Sequence, residues 1–397
     1  MSKSISKPQN EISTTMMVVL AAACGLIVAN LYYSQTLVGP ISTALGLPSG
    51  AAGLIVTLTQ IGYVAGLLFI VPLSDKIENR RLIVTSLAIV VLALILAAVS
   101  SNSALFLTAA LLIGSGSVVA QILVPLAAYL SSDQQRGRVV GNVMSGLLLG
   151  IMLARPISSL IAGIWGWRTI FVLSAAVMAL LAFSLAKVLP KRKPESTLTY
   201  MQLVASLIEL FKKNPILRRR AFYQACLFGS FSLFWTTVPL RLADEYGMSQ
   251  QGIALFALVG VAGAIAAPIA GRLADKGLTK AITIGAIVTA ILSFLLIALF
   301  HNGSLFSLIL LFVVAVTLDM AVSGNLVASQ RIIFSLGNEA RGRFNGLFMA
   351  IFFIGGAVGS FLGGLTYAHG GWVSSACIGV ALTFIAFLYF LTERKHK

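Results

Sequence analysis

Apolar residues in this chain do not alternate with polar ones. They fall in runs of about twenty or more, broken by short charged or Gly-containing turns, the pattern of buried or membrane-spanning helices rather than of strands. A helix rising ~1.5 Å per residue needs about 20 such residues to cross a bilayer core, so each run predicts one spanning helix. Twelve are expected. The first six are Thr14 to Val38, Gly50 to Leu73, Arg81 to Ser100, Ala104 to Leu130, and two runs around the turn Trp165-Gly166-Trp167-Arg168 that end at Leu189. The second six are Ala221 to Leu242, Ser249 to Leu273, Lys280 to Phe300, Ser304 to Ile333, Arg343 to Ala368 and Trp372 to Leu391.

The runs are organised by a duplication. The stretch from Arg136 to Arg168 returns at an offset of 205 residues, keeping Arg136/Arg341, Gly137/Gly342, Arg138/Arg343, Gly141/Gly346, Met144/Met349, Gly150/Gly355, Gly166/Gly371 and Trp167/Trp372. Domain boundaries follow: residues 1–189 form one six-helix half, 190–219 a linker and 220–397 the second half. The linker holds Lys191, Arg192, Lys193, Lys212, Lys213, Arg218 and Arg219. Within it Val204, Leu207, Ile208 and Phe211 recur at helical spacing, which fits either an interfacial helix or a solvated basic connector.

Composition agrees with a membrane protein: 58% of residues are hydrophobic and 10% charged, and the mean hydropathy is +0.97. The net charge of +16 would suggest nucleic acid in a soluble protein. Its placement says otherwise. Of 28 Lys and Arg, all but Arg155, Arg168 and Arg241 lie on the side of the N-terminus, so both termini are expected in the cytoplasm. No nucleic-acid partner is expected, and the first run carries no convincing cleavage site. Cys24, Cys226 and Cys377 each fall inside an apolar run and suggest no disulfide framework. Enzyme chemistry has no support: His301, His369 and His396 lie in loops or the tail, and there is no metal-ligand spacing, nucleophile constellation or P-loop. No cofactor or metal is expected.

The loops after spans two and eight carry a further signature. They read Pro72-Leu-Ser-Asp-Lys-Ile-Glu-Asn-Arg-Arg81 and Gly271-Arg-Leu-Ala-Asp-Lys-Gly-Leu-Thr-Lys280, with Asp75 and Asp275 in matching positions. The second closely resembles the G-x-L-A-D-R-x-G-R-K loop of the major facilitator superfamily; in the first, Val71 and Glu78 occupy the two glycine positions. With the 6 + 6 duplication and basic linker, the resemblance covers essentially the whole chain. It implies an all-α membrane protein in the major facilitator fold, acting as a secondary transporter. The nearer resemblance is to bacterial drug and sugar efflux permeases, whose fifth span carries G-x-x-x-G-P-x-x-G-G. Here Gly146 and Gly150 precede Ala154-Arg155-Pro156, with Arg155 at a glycine position and Ser158/Ser159 for the glycine pair, a departure that weakens the antiport the motif implies.

A carboxylate near a helix N-terminus meets unpaired N–H groups and the positive dipole end. The resemblance places Asp75 near the start of span eleven at Gly342-Arg343, and Asp275 near the start of span five at Gly137-Arg138. With Arg136 and Arg341 these would form a cytoplasmic latch; the plainer alternative is that they only fix topology.

Asp319 is the acidic residue nearest the middle of a span and Arg155 is the matching cation, in spans ten and five. Such residues cost at least ~2.5–3.5 kcal/mol at the bilayer centre and usually face a cavity or a partner. The superfamily's architecture brings these two spans together, which implies an interdomain Arg155–Asp319 bridge. It would either couple protons to alternating access through Asp319, lock the halves permanently, or bind substrate directly. The expected cavity is marked by Asn30, Tyr33 and Ser34 on span one, Gln121 on span four, Gln224, Phe228, Phe231 and Trp235 on one face of span seven, and Ser323 on span ten. For each residue, helix–helix bonding is the alternative. The resulting expectation is a monomeric exporter of a small organic molecule by proton antiport, with protons, substrate and lipid as partners. A proton-coupled uptake symporter and a non-transporting receptor or scaffold are the competing readings.

Overall fold

The computed structural model describes residues 13–132, 135–194, 198–336 and 341–393. His396 and the side chain of Arg341 lie outside the described residues. All described elements are helical. Among the described residues, ten stretches are long and apolar enough to cross a membrane: Thr14–Ala44, Ser49–Asp75, Asn79–Val99, Ser103–Leu130, Arg136–Trp165, Trp167–Val188, Pro215–Asp244, Thr279–Leu299, Leu305–Ser335 and Gly342–Leu391.

The difference from the expected twelve arises at two places. Gly371, at φ 66° and ψ −162°, interrupts the helical run Arg341–Leu391, separating spans eleven and twelve. Span eight is helical over Gln250–Ala257 and Ala262–Asp275 but narrows to a 3-10 turn at Leu258–Val261, so neither piece alone reaches membrane length. Gly166 (φ 86°) makes the same turn between spans five and six, which explains why glycine stands in both copies of the repeat. Helix starts are set locally: Ser13, Asn102, Ser249 and Ser304 each accept a bond from a backbone N–H of the following turn.

Packing repeats with the duplication. Span one crosses span five at Gly25 and Gly150, and span seven crosses span eleven at Gly229, Gly355 and Gly359; at each crossing a Cβ would strike the facing backbone. Small residues here replace side-chain contact with backbone-to-backbone approach. Span two meets span four, and span eight meets span ten; span three packs on span six, and span nine on span twelve.

The two sets of spans meet most closely at the ends away from the basic loops. Ser159 donates to the Gln250 backbone oxygen (2.9 Å) and Oε1 (2.8 Å), and Gln251 donates to the Gly163 carbonyl (2.8 Å), joining spans five and eight. Thr57 and Ser360 hydroxyls lie 2.8 Å apart, joining spans two and eleven. Deeper, Gln60 Nε2 donates to Ser232 (2.9 Å).

The linker contains a helix, Tyr200–Lys213, closed at its start by a reciprocal Thr199–Gln202 capping box. Leu203 and Leu207 are buried against the bundle, while Met201, Ile208 and Phe211 are exposed. Tyr200 donates to the Phe69 carbonyl (2.9 Å) and Ser206 accepts from Arg343 (2.8 Å). At its end the Lys213 ammonium holds the Glu209 carboxyl below the usual carboxylate range.

Candidate functional site

The charged residues at mid-span converge. Arg155 and Asp319 are 1% and 3% exposed and meet around the 3-10 turn of span eight. A Cβ at Gly260 would stand 3.0 Å from Asp319 Oδ2, 3.2 Å from Arg155 Nη1 and 3.7 Å from Trp235. A side chain here would push both charged groups back by a few tenths of an ångström. The two nevertheless form neither a hydrogen bond nor an ion pair, which departs from the expected direct bridge.

The guanidinium takes other partners. Its Nε donates to Gln35 Oε1 (2.7 Å), and its carbon lies 4.4 Å from the Trp235 ring centroid, 4.9 Å from Phe231 and 5.3 Å from Tyr32. Cation–π contacts strengthen when desolvated, to about 2 kcal/mol, so three rings offset part of the burial of a cation whose carboxylate stands beyond contact. Four buried polar atoms of this centre lack a well-formed hydrogen bond: Arg155 Nη2, Gln35 Nε2, Trp235 Nε1 and Asp319 Oδ2, with the Trp235 N–H directed loosely at the Asp319 carboxylate. Each such group costs roughly 1–3 kcal/mol, more when charged. Four in one place call for a partner that the protein's own side chains do not supply.

Other expected cavity residues separate into two groups. Phe231 and Trp235 belong to the centre. Phe228 lies against Phe352, with centroids 3.8 Å apart, and Gln224 bonds Asn325 (2.6 Å) and the Val322 carbonyl (3.2 Å), so these two pack spans seven, ten and eleven. Asn30 accepts from Ser174 (2.6 Å) and donates to the Leu26 and Ile27 carbonyls, tying span one to span six. Tyr33 and Ser34 are buried, and Ser323 is half-buried on span ten. Gln121 donates to Tyr63 (3.1 Å) and accepts from Asn345 (3.4 Å), bridging spans four, two and eleven.

Tyr32 and Gln35 were not singled out from sequence. The 100° spacing that selected Asn30, Tyr33 and Ser34 assumes an unbroken α-helix, but helix Thr14–Ala29 ends there and a 3-10 turn, Tyr33–Leu37, rotates the following side chains.

The basic ends hold the loop aspartates. Asp75 is partly buried and lies in the fields of Arg343 and Arg192, with Arg343 the larger influence of the two. Asp275 forms its ion pair with Arg331 of span ten, not with Arg138 at the start of span five, because spans eight and ten are direct neighbours. Arg136 donates to the Ala128 carbonyl (3.2 Å). The Asp275–Arg331 pair is 68% and 47% exposed, and exposed pairs contribute little. Arg331→Gln is therefore expected to leave the thermal midpoint of purified protein close to wild type, as scanning fluorimetry would read.

These features define a polytopic membrane transporter, and comparison with known proteins agrees. The family model for the Major Facilitator Superfamily matches residues 18–335 and 220–397, and the chain belongs to that superfamily. It is 40% identical over 385 residues to the uncharacterized transporter YgaY of Escherichia coli O157:H7, covering 97% of each chain. It is also similar, at 21% identity over 389 residues, to a probable sugar efflux transporter of Mannheimia succiniciproducens, covering 96% of this chain and 94% of that one. Among solved structures, a bacterial homologue of the human lysosomal transporter Spinster shares the fold, with a TM-score of 0.72 and 16% identity over 97% of each chain. The protein is thus a multi-pass membrane transporter acting on a small molecule.

Proposed function

We propose that this transporter exports a small organic molecule from the bacterial cytoplasm across the inner membrane in exchange for protons, working as a monomer by alternating access. The observation that carries the reading is Asp319: a buried carboxylate at mid-span, held off its cation, with Oδ2 unpartnered and helices from both parts of the duplication around it. Protonation there would weaken its attraction to Arg155 and so alter the balance between spans five and ten. Charge placement supports cytoplasmic termini. On that orientation the five–eight and two–eleven contacts lie at the outer end. Residues 1–189 and 220–397 would rock against each other, with Asp75 and Arg343 as a cytoplasmic latch and Asp275 reaching Arg138 in the opposite state. Efflux is supported by the similarity to a sugar efflux transporter, at a distance that leaves substrate open.

A second reading, proton-coupled uptake, draws on Arg155 itself. A cation in place of the family's span-five glycine suits an anion carried together with a proton. Everted vesicles with an acid interior and a pH-sensitive dye separate the two. For export, a substrate added outside dissipates the gradient. For uptake, the same compound accumulates only in right-side-out vesicles with an acid exterior, which would overturn the export reading.

A further inference from the structure

The unpartnered atoms of the Arg155–Asp319 centre also constrain what is carried, and this rests on the antiport reading above. Three of the four are N–H donors, on Arg155, Gln35 and Trp235; the fourth is a carboxylate oxygen, on Asp319. All four residues are at least nine-tenths buried. They come from spans five, one, seven and ten. The walls are the Tyr32, Phe231 and Trp235 rings.

In an antiporter, substrate and proton must compete for one group. A protonated Asp319 offers no charge, so the competing ligand is one that needs the ionised carboxylate, which means a cationic group. A simple cation fits poorly, because its charge would also lie beside Arg155 in a low-dielectric surround where like charges repel strongly. A simple anion has the reverse problem with Asp319. A ligand carrying both charges meets each demand. Its carboxylate would take the free Arg155 Nη2 and the Gln35 N–H, since a guanidinium fork matches a planar carboxylate, while the Trp235 N–H stays with Asp319. Its ammonium would take Asp319 Oδ2. Both buried charges then have a partner and the net charge of the centre is unchanged.

We infer that the transported molecule is a small zwitterion, with an ammonium and a carboxylate close together and an apolar group to lie against the aromatic walls. Gly260, on the 3-10 turn of span eight, is the backbone between the two charges that the ligand would bridge.

The test uses purified full-length protein in lipid nanodiscs and binding read by thermal shift and tryptophan fluorescence, so that it does not depend on transport. Two matched sets serve as probes: L-phenylalanine, 2-phenylethylamine and 3-phenylpropionate, and L-leucine, 3-methylbutylamine and 4-methylpentanoate. The expected result is that at least one zwitterion binds about tenfold or more tighter than either of its singly charged analogues, equivalent to about 1.4 kcal/mol. Asp319→Asn should shift preference toward the acid, and Arg155→Gln toward the amine. A wild type that prefers an amine or an acid, or binds neither zwitterion at millimolar concentration, overturns the inference. So does an unchanged preference in both variants. Because binding is read without a gradient, such a result leaves proton exchange through Asp319 to be decided by the vesicle assay.

Discussion

Leucine at Gly359 is expected to abolish the accumulation of folded protein. A Cβ at that position collides with the Gly229 backbone, and one at Gly355 with the Ala225 backbone, so spans seven and eleven touch main chain to main chain. Nothing flexible stands in the way to move aside. Overpacking a core typically costs about 1–3 kcal/mol when side chains can shift; against backbone the helices themselves must separate, and the cost rises beyond that range. The same holds where spans one and five cross, at Gly25, Gly146 and Gly150. Gly141 and Gly346 supply the control, because a Cβ at either meets nothing within 4 Å. Alanine there should hold or raise stability, by up to about 1 kcal/mol for a helix interior. Size-exclusion profiles of fluorescently tagged variants would show a lost monodisperse peak for Gly359→Leu and a retained one for Gly346→Ala.

The second large effect is a sign reversal between single and double substitutions at the charged centre. Arg155→Gln removes the cation whose field offsets a buried carboxylate and should destabilise the protein by about 3 kcal/mol, the scale of a buried charge left uncompensated. Asp319→Asn leaves the guanidinium with Gln35 and three rings, so its cost is expected to be smaller. The double variant carries no net buried charge. Its thermal midpoint should recover above that of Arg155→Gln alone, while proton-driven transport stays absent. Recovery of stability without recovery of transport separates the electrostatic role of the pair from its coupling role. A double variant no more stable than Arg155→Gln would show that the two charges do not act on each other.

Why these residues could be found in advance, and others not, follows from how each signal is encoded. Arg155 and Asp319 stand out because charge within an apolar run is costly wherever it sits, so no geometry is needed to notice it. The turn glycines Gly166 and Gly371 were visible as repeated residues, and their positive φ supplies the reason. Gly260 gave no such signal. In a chain with 36 glycines its neighbours Leu258, Val259 and Val261 look like ordinary membrane helix, and only the folded backbone shows that two charges come up against it. Tyr32 and Gln35 were hidden by a change of helical pitch that hydrophobic periodicity cannot report. Asp275 shows a third kind of limit. Its loop matches the family pattern, but whether it meets Arg138 or Arg331 depends on which helix ends are together, and the sequence encodes both options.

The measurement that bears most directly on proton exchange at Asp319 compares wild type with Asp319→Asn in everted vesicles loaded with an acid-interior gradient and challenged with a transported compound. Wild type is predicted to dissipate the gradient on addition of the compound. The Asn variant, inserted at equal level and still exchanging labelled for unlabelled compound, is predicted to leave the gradient intact. If the variant dissipates the gradient as wild type does, Asp319 does not carry the proton and the centre it forms with Arg155 is structural.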